Sequence, residues 1–373
     1  MKALYKKILR FFSRLPERLE IWKFFFAEWF AILRKKPLYK DIKWTSEQQK
    51  EFDAYWKTNY GKKISNRWHR LYEASTGVHR VDYFPEYLYT TRLEPKLNNS
   101  RYSAVFSDKT LNDLLFENRI PNVRTPKYFF FNNHGLYYDA NRNLISQEQA
   151  AQLLADCGDA VIKPTVDSSS GHNVAVLCMQ DGVNTKDGRA VEEILRQYKA
   201  NFIVQEKIKP CQALADLYPL AINTLRVTSY VVEDHVEIAP ISLRIGGGGK
   251  EVDNIHAGGV GVYVHNDGTL AKYAYRLGYG DSFEKTETHP DTHTVFSGYK
   301  LDFVPEIIAA AKRLHTMTAD LRVISWDFTV DSDGSIVVIE ANYSGQGVWF
   351  PQMISGEPLF GENTKAILKY MKR

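Results

Sequence analysis

One stretch constrains this chain more than any other. Residues 325–345 read SWDFTVDSDGSIVVIEANYSG. DFTV and IVVIE are short apolar runs, and Asp333-Gly334 between them is a strong two-residue hairpin signal. With that dipeptide as the turn, Ser332 faces Ser335, Val330 faces Val337, and Asp327 faces Glu340. Residues directly opposed in an antiparallel pair sit roughly 4.5–5.5 Å apart at Cβ, where like charges repel. Asn342, two residues beyond Glu340, lies on the same face. Two carboxylates and an amide on one half-buried face need a reason. An all-oxygen set suits Mg²⁺, with phosphate oxygens and water completing its shell. A carboxylate dyad for acid–base work is a second reading. A solvent-facing acidic pair in a different turn register is a third.

Composition narrows the classes. With 373 residues, 44% of them hydrophobic, there is ample material for a core, and the length suggests two or three domains. A net charge of only +4 argues against a polycation built for nucleic acid. Cys157, Cys178 and Cys211 stand far apart, without metal spacing, and their odd number argues against a disulfide framework. The expectation is a reducing, cytoplasmic setting. The early apolar runs FFFA and WFAIL stop at Glu28 and Arg34, short of the roughly 20 residues of a membrane span. Charges also interrupt every candidate signal-peptide core. On a helical wheel Leu4, Ile8, Phe11, Phe12 and Leu15 share one face, and Lys2, Lys6, Lys7, Arg10 and Arg14 the other. Residues 1–36 hold ten Lys/Arg and three Glu, a net of +7, more than the whole chain's balance. Such a helix suits the inner, anionic face of a bacterial membrane as a peripheral contact. It equally suits an ordinary helix packed on its own domain.

Four segments follow from texture. Residues 1–100 read as a helical, aromatic, basic region, in which TSEQQKEFDAYWKTNYG and SNRWHRLYEASTG are bounded like helices. Residues 101–158 read as α/β, with SAVF a strand, SDKTLNDLLFENRI and SQEQAAQLLADCG capped helices, and PNVRTPKYFFF extended. Residues 159–208 form a unit of strand DAVIKP, loop TVDSSSGH, strand NVAVLCM, helix AVEEILRQYKA and strand FIVQEKI. Residues 209–373 carry TLRVTSYVV, VEIAPISLRI, GVGVYV, the helix VPEIIAAAKRLHTMT and the opening hairpin. The expected class is α+β.

Lys163 ends an apolar strand and is followed by a Ser/Gly loop, Ser168, Ser169, Ser170 and Gly171. Such a loop can present backbone N–H groups to an anion, with the lysine adding a compact charge. A plain polar hairpin loop with an edge lysine is the alternative. No GxxxxGK[ST] pattern and no GxGxxG after the first α/β strand is present. FIVQEKI ends an apolar strand in Gln205-Glu206, where free backbone groups can meet a purine edge. Arg226 sits among strand apolars, where an unpaired charge is expensive. Gly246–Gly249, then Asp253, Asn254, His256 and Gly258-Gly259, make a poor core and a plausible polar site loop, although a lone histidine is often structural. No Ser-His-Asp order, GxSxG elbow or zinc spacing appears.

In order, a strand lysine, a small-residue loop, VQEKI, an arginine-bearing strand and the D…E-x-N hairpin resemble the ATP-grasp superfamily over about residues 100–350. INTLRV, LRIGGGGKEVDNIHAGG and THP resemble its sugar-transfer-associated branch, linked to bacterial surface polysaccharide synthesis. The resemblance implies a lid subdomain (159–208) and a C-terminal subdomain (209–373) clasping ATP between two sheets. It implies Lys163 on the α/β-phosphates and Lys109 as a second ATP lysine. Ser168–Gly171 would cover the β/γ-phosphates, and Gln205, Glu206, Lys207 and Ile208 would hold adenine. Asp216 is the candidate ribose ligand. Arg226 would face the γ-phosphate or an acyl-phosphate, with Arg244 and His256 beside the chemistry. Asp253, Asn254, His256, Gly258, Gly259 and His289 would line the acceptor side, and Asp327, Glu340 and Asn342 would hold Mg²⁺. The implied activity is an ATP-dependent ligase joining an amino acid and a sugar through an acyl-phosphate. A sugar kinase on the same fold, a non-catalytic nucleotide-binding scaffold and a glycosyltransferase are the competing classes.

Overall fold

The computed structural model describes residues 15–372 apart from 167–172, 256–257, 278–282 and 319. The basic wheel at residues 2–15 therefore lies almost wholly outside the described residues. The first described helix, α1, runs Leu15–Arg34. Thr45 opens the next, α2 (Ser46–Asn59), by the reciprocal bonds its sequence promises: Gln48 N–H donates to Thr45 Oγ1 (3.2 Å) and Thr45 N–H to Gln48 Oε1 (2.9 Å). Helix α3 (Arg67–Thr76) ends on Gly77 at φ +75°, a left-handed cap. These helices are not an appendage. Phe52 and Trp56 are fully buried in one cluster with Tyr230 and Val323 of the larger sheet and Leu359, Phe360 and Leu368 near the C-terminus.

The first strand, β1 (Val123–Arg124), joins the larger sheet. The next seven make a smaller one: β2 (Tyr128–Asn133), β3 (Leu136–Asp139), β4 (Leu144–Ile145), β5 (Asp159–Pro164), β6 (Ala175–Gln180), β7 (Val183–Asn184) and β8 (Phe202–Glu206), in the order β4-β3-β2-β8-β5-β6-β7. Every neighbouring pair in it is antiparallel. Helices α4 (Gln147–Asp156), opened by a Ser146–Gln149 capping box, and α5 (Val191–Tyr198) bury Leu154, Ile194 and Leu195 against its Phe130, Ile162 and Phe202. This sheet begins at Tyr128, so it takes in strands that the sequence places in a separate 101–158 segment.

The larger sheet adds β9 (Thr224–Val232), β10 (His235–Ile238), β11 (Ile241–Ile245), β12 (Val260–Val264), β13 (Leu270–Leu277), β14 (Phe283–Thr286), β15 (Val323–Val330) and β16 (Ile336–Asn342). Its order is β1-β16-β15-β9-β11-β12-β13-β14, with β10 also on β9. Helix α6 (Val304–His315) covers one face, burying Val304, Ile307 and Leu314. After the hairpin come α7 (Trp349–Ser355) and α8 (Thr364–Lys372). No helix among the described residues is long and apolar enough to cross a membrane.

Two expectations change. SAVF is not a strand: Ser100–Phe106 is helical, its start capped by the Asn99 side chain, which accepts from Arg101 N–H (3.0 Å). A four-residue apolar run carries no period that separates strand from helix, and the cap decides it. The hairpin turn is also longer than two residues. Asp331 N–H donates to Ser335 O (2.9 Å), and Gly334 holds φ +85°, so the loop is Ser332-Asp333-Gly334 and Val330 faces Ile336. A bulge then leaves Ile339 without an opposite residue, and the shift it introduces restores Asp327 opposite Glu340 and Ser325 opposite Asn342.

Candidate active site

The two sheets border a cavity of about 620 Å³. From the smaller sheet and its approaches come Lys109, Val161, Lys163, Val176 and Gln205–Ile208; from the larger come Arg226, Arg244, Asp327, Ile339, Glu340 and Asn342.

Register assembles the charged floor. On β9, Arg226 lies opposite Asp327 of β15 on one side, and Thr224 lies opposite Arg244 of β11 on the other. Arg226 grips Asp327 with two N–H groups, one of them 3.0 Å from Oδ2. Arg244 reaches Asp327 Oδ2 at 3.1 Å and Asp253 Oδ2 at 3.4 Å. Thr224 Oγ1 donates to Asp253 and accepts from Arg244 (2.7 and 3.1 Å), so it locks the second guanidinium in place. Burial would raise the Asp327 carboxyl; Arg226 and Arg244 together hold it below the ordinary aspartate range. At Asp253 burial wins over Arg244 and the value is raised. Glu340 pairs instead with Lys109 Nζ at 3.1 Å. The opposed carboxylates are thus neutralised by two guanidiniums and an ammonium.

Lys163 differs from every other cation here. It is buried, and among the described residues no carboxylate lies within ion-pair distance. Burial, aided by Lys109, pulls its ammonium down to about 8, with Glu340 and Asp327 opposing. Lys109 is fixed beside it: its N–H donates to Thr165 O (2.9 Å), and its carbonyl accepts from the Tyr128 hydroxyl (2.8 Å). An apolar slot of Val161, Val174, Val176, Ile208, Pro210 and Ile339 continues the cavity. The Glu206 side chain turns away from it, accepting from Lys127 N–H (2.8 Å) and pairing with Arg124, which also pairs with Asp331. It braces the sheets to each other, and the Glu206 N–H donates to Lys127 O (2.9 Å).

Other expected residues fall elsewhere. Ser168–Gly171 and His256 lie outside the described residues. Asp216 accepts from Gln212 Nε2 (2.5 Å) and does not border the cavity. His289 is fully buried; its Nε2 donates to Gly246 O (2.8 Å) while Nδ1 accepts from the N–H groups of Asp291 and Thr292 (3.3 Å each), so it ties a loop together rather than facing a ligand. Gly258 and Gly259 are also off the cavity. A Cβ on Gly259 would stand 2.5 Å from Ile245 O, so that glycine permits two backbones to cross. Asp253 and Asn254 do border the cavity.

Glu340 and Asn342 present oxygen donors of the kind Mg²⁺ takes. Asn342 Nδ2 donates to Ser325 O (3.2 Å), leaving its amide oxygen as the ligand atom beside Glu340. Asp327 enters such a set only through lone pairs that its two arginines spare.

Sequence reasoning missed the far end of the cavity: Pro219, Leu220 and Ile222, with Trp349, Phe350 and Pro351. This end hangs on two buried carboxylates. Glu94 accepts from Gly345 and Gln346 N–H (3.0 and 3.1 Å), and Glu86 from Val348 N–H (2.9 Å). Burial raises Glu94 to about 7 and Glu86 well above its usual value. The run GQGVWFP, Gly345 to Pro351, three residues on from Asn342, is the only signal for this wall in the sequence. Glu251 was missed too; it pairs with Lys186 and lies 3.8 Å from Lys207 Nζ, latching the smaller sheet to the glycine loop.

Two sheets closing on a cleft with lysines from one side and a D…E-x-N hairpin from the other define an ATP-grasp fold. The family model described as sugar-transfer associated ATP-grasp matches residues 88–368, and the chain belongs to that family. No curated protein matches it. Among solved structures it is similar to the ATP-grasp ligase PsnB complexed with minimal precursor, Mg and ADP, at 18% identity over 74% of this chain and 62% of that one, TM-score 0.35. It is also similar to D-alanyl-alanine synthetase A from Vibrio cholerae, at 14% identity over 74% and 68%, TM-score 0.41. A third is the L-amino acid ligase from Bacillus licheniformis, at 13% over 74% and 48%, TM-score 0.35. The chain spans about three-fifths of the PsnB chain's length, 62%.

Proposed function

We propose that the protein is an ATP-dependent carboxylate–amine ligase. Its substrates on this reading are an amino acid and a sugar of a bacterial surface polysaccharide, joined as an amide at the inner face of the membrane. The observation that carries the reading is the buried Lys163, with no carboxylate in ion-pair range among the described residues, beside the Lys109–Glu340 pair and facing the Arg226–Asp327–Arg244 lattice across one cleft. A buried cation asks for an anion, and the triphosphate supplies one. No side-chain nucleophile is required, because such catalysis is positioning plus charge stabilisation.

In the proposed reaction a carboxylate oxygen attacks the γ-phosphorus and ADP leaves. The amine then attacks the acyl carbon, phosphate leaves with the bonding pair, and the amine gives up a proton. Lys163 and Lys109 hold the phosphates, and Arg226 and Arg244 hold the carboxylate or the acyl-phosphate. Glu340 and Asn342, with Asp327, would hold Mg²⁺, which when bound shields phosphate charge. The apolar slot above Ile208 takes the base through backbone groups.

The test is incubation with Mg²⁺–ATP, hydroxylamine and pools of amino acids and uronic acids, following ADP and hydroxamate. Hydroxamate from one pool, abolished in Glu340→Gln, is the expected result. ADP with a phosphorylated sugar and no hydroxamate assigns a kinase instead.

A further inference from the structure

Every strongly exposed tryptophan and phenylalanine among the described residues lies on one helix. Trp22, Phe24, Phe25, Phe26, Trp29 and Phe30 of α1 are each at least 40% exposed, with Leu19 at 61%. Elsewhere in the described chain Phe and Trp are buried or half-buried, so this face is an exception that needs an occupant. Its root is firm. Ile32 is buried with Tyr39, Trp68 and Met353, and the Phe25 ring meets Tyr87 edge-on at 6.4 Å.

Charge says what the occupant is. Lys23, Arg34, Lys36, Lys40 and Lys43 are exposed on the helix and just after it, as is Asp41, while Glu17 and Glu20 stand in the helix's first two turns. The preceding fourteen residues add Lys2, Lys6, Lys7, Arg10 and Arg14 and no acid. A second copy of the same face would bring two cationic rims together. An anionic bilayer neutralises the rim while Trp and Phe enter the headgroup boundary, where their amphipathic or apolar rings are favoured.

We propose that α1 is a bilayer-docking element that seats the Trp349 end of the cleft beside the lipid. The link is direct: Lys35, next after the helix, stands 5.0 Å over the Trp349 ring, and Trp349 borders the cavity. Calling that end the acceptor end rests on the ligase reading; the docking surface does not.

Flotation of the full chain tests it without any turnover, so its failure and that of the ligase assignment are separable. The chain is expected to float with phosphatidylglycerol–phosphatidylcholine vesicles and at least about tenfold less with phosphatidylcholine alone. The combined Trp22→Ser, Phe26→Ser and Phe30→Ser variant, at exposed positions, should lose flotation while its circular dichroism and Tm hold. Brominated lipids should quench tryptophan emission, and Trp22→Phe with Trp29→Phe should float yet lose that quenching. Wild-type protein that stays at the bottom, or a serine variant that floats equally, overturns the proposal. Sedimentation showing a wild-type oligomer that the serine variant dissolves overturns it in favour of self-association.

Discussion

The two walls of the cleft handle buried charge in opposite ways. The larger sheet places Arg226, Arg244, Asp327 and Asp253 in mutual contact, so its charges are satisfied before any ligand arrives. The smaller sheet buries Lys163 with no carboxylate in ion-pair range among the described residues. One wall is a finished scaffold. The other is left incomplete in a way that only an anion completes.

The largest expected effect breaks the finished wall. Asp327→Ala leaves two guanidiniums facing each other and should cost about 3–5 kcal/mol in urea unfolding, with Asp327→Asn milder. On the unfinished wall the balance reverses. Lys163→Ala should lower kcat/KM for ATP by at least about 100-fold, roughly 3 kcal/mol. Its melting temperature should hold or rise, because the desolvation cost of a buried cation is removed.

pH sharpens the same contrast. Lys163 sits at about 8 by burial. Above that pH it loses the proton that attracts phosphate, so KM for ATP should climb by about tenfold per unit. Lys163→Arg should flatten the climb, since a guanidinium stays charged. Stability moves the other way: the unfolded lysine keeps its proton to roughly pH 10.4, so the folded state gains as pH rises through that window. The smallest effect concerns Glu94, raised to about 7 by burial. Its unfolded value is lower, so the stability it contributes is full at low pH and is lost as pH rises through 7. Glu94→Gln keeps an acceptor for the Gly345–Gln346 turn and drops that slope. Between about pH 6 and pH 8 it should gain about 1 kcal/mol relative to wild type in thermal melts.

Local rules carried much of this molecule. The capping boxes at Thr45 and Ser146 and the strand carrying Lys163 were legible because each rests on a few neighbouring residues, whereas the opposition of Asp327 to Glu340, inferred from a two-residue turn, holds only because the bulge at Ile339 offsets the longer turn. What stayed hidden depends on distant partners. Nothing in the sequence pairs Glu86 and Glu94 with N–H groups some 250 residues onward. Strands β13 and β14 passed unread because LAKYAYRL mixes charges into its apolar alternation. His289, expected at the acceptor side, is fully buried, a distinction no single residue announces.

The bulge at Ile339 has a consequence for how this hairpin tolerates change. The three-residue turn sets one phase for the strands near it, and the bulge resets the phase before Asp327 and Glu340 meet. Turn length and site registry are therefore decoupled by one spare residue. Ile339 is the spare residue: deleting it would leave Phe328 opposite Val338 and Asp327 opposite Glu340 in an unbroken ladder, so the carboxylates stay opposed while the extra local twist of the bulge is lost.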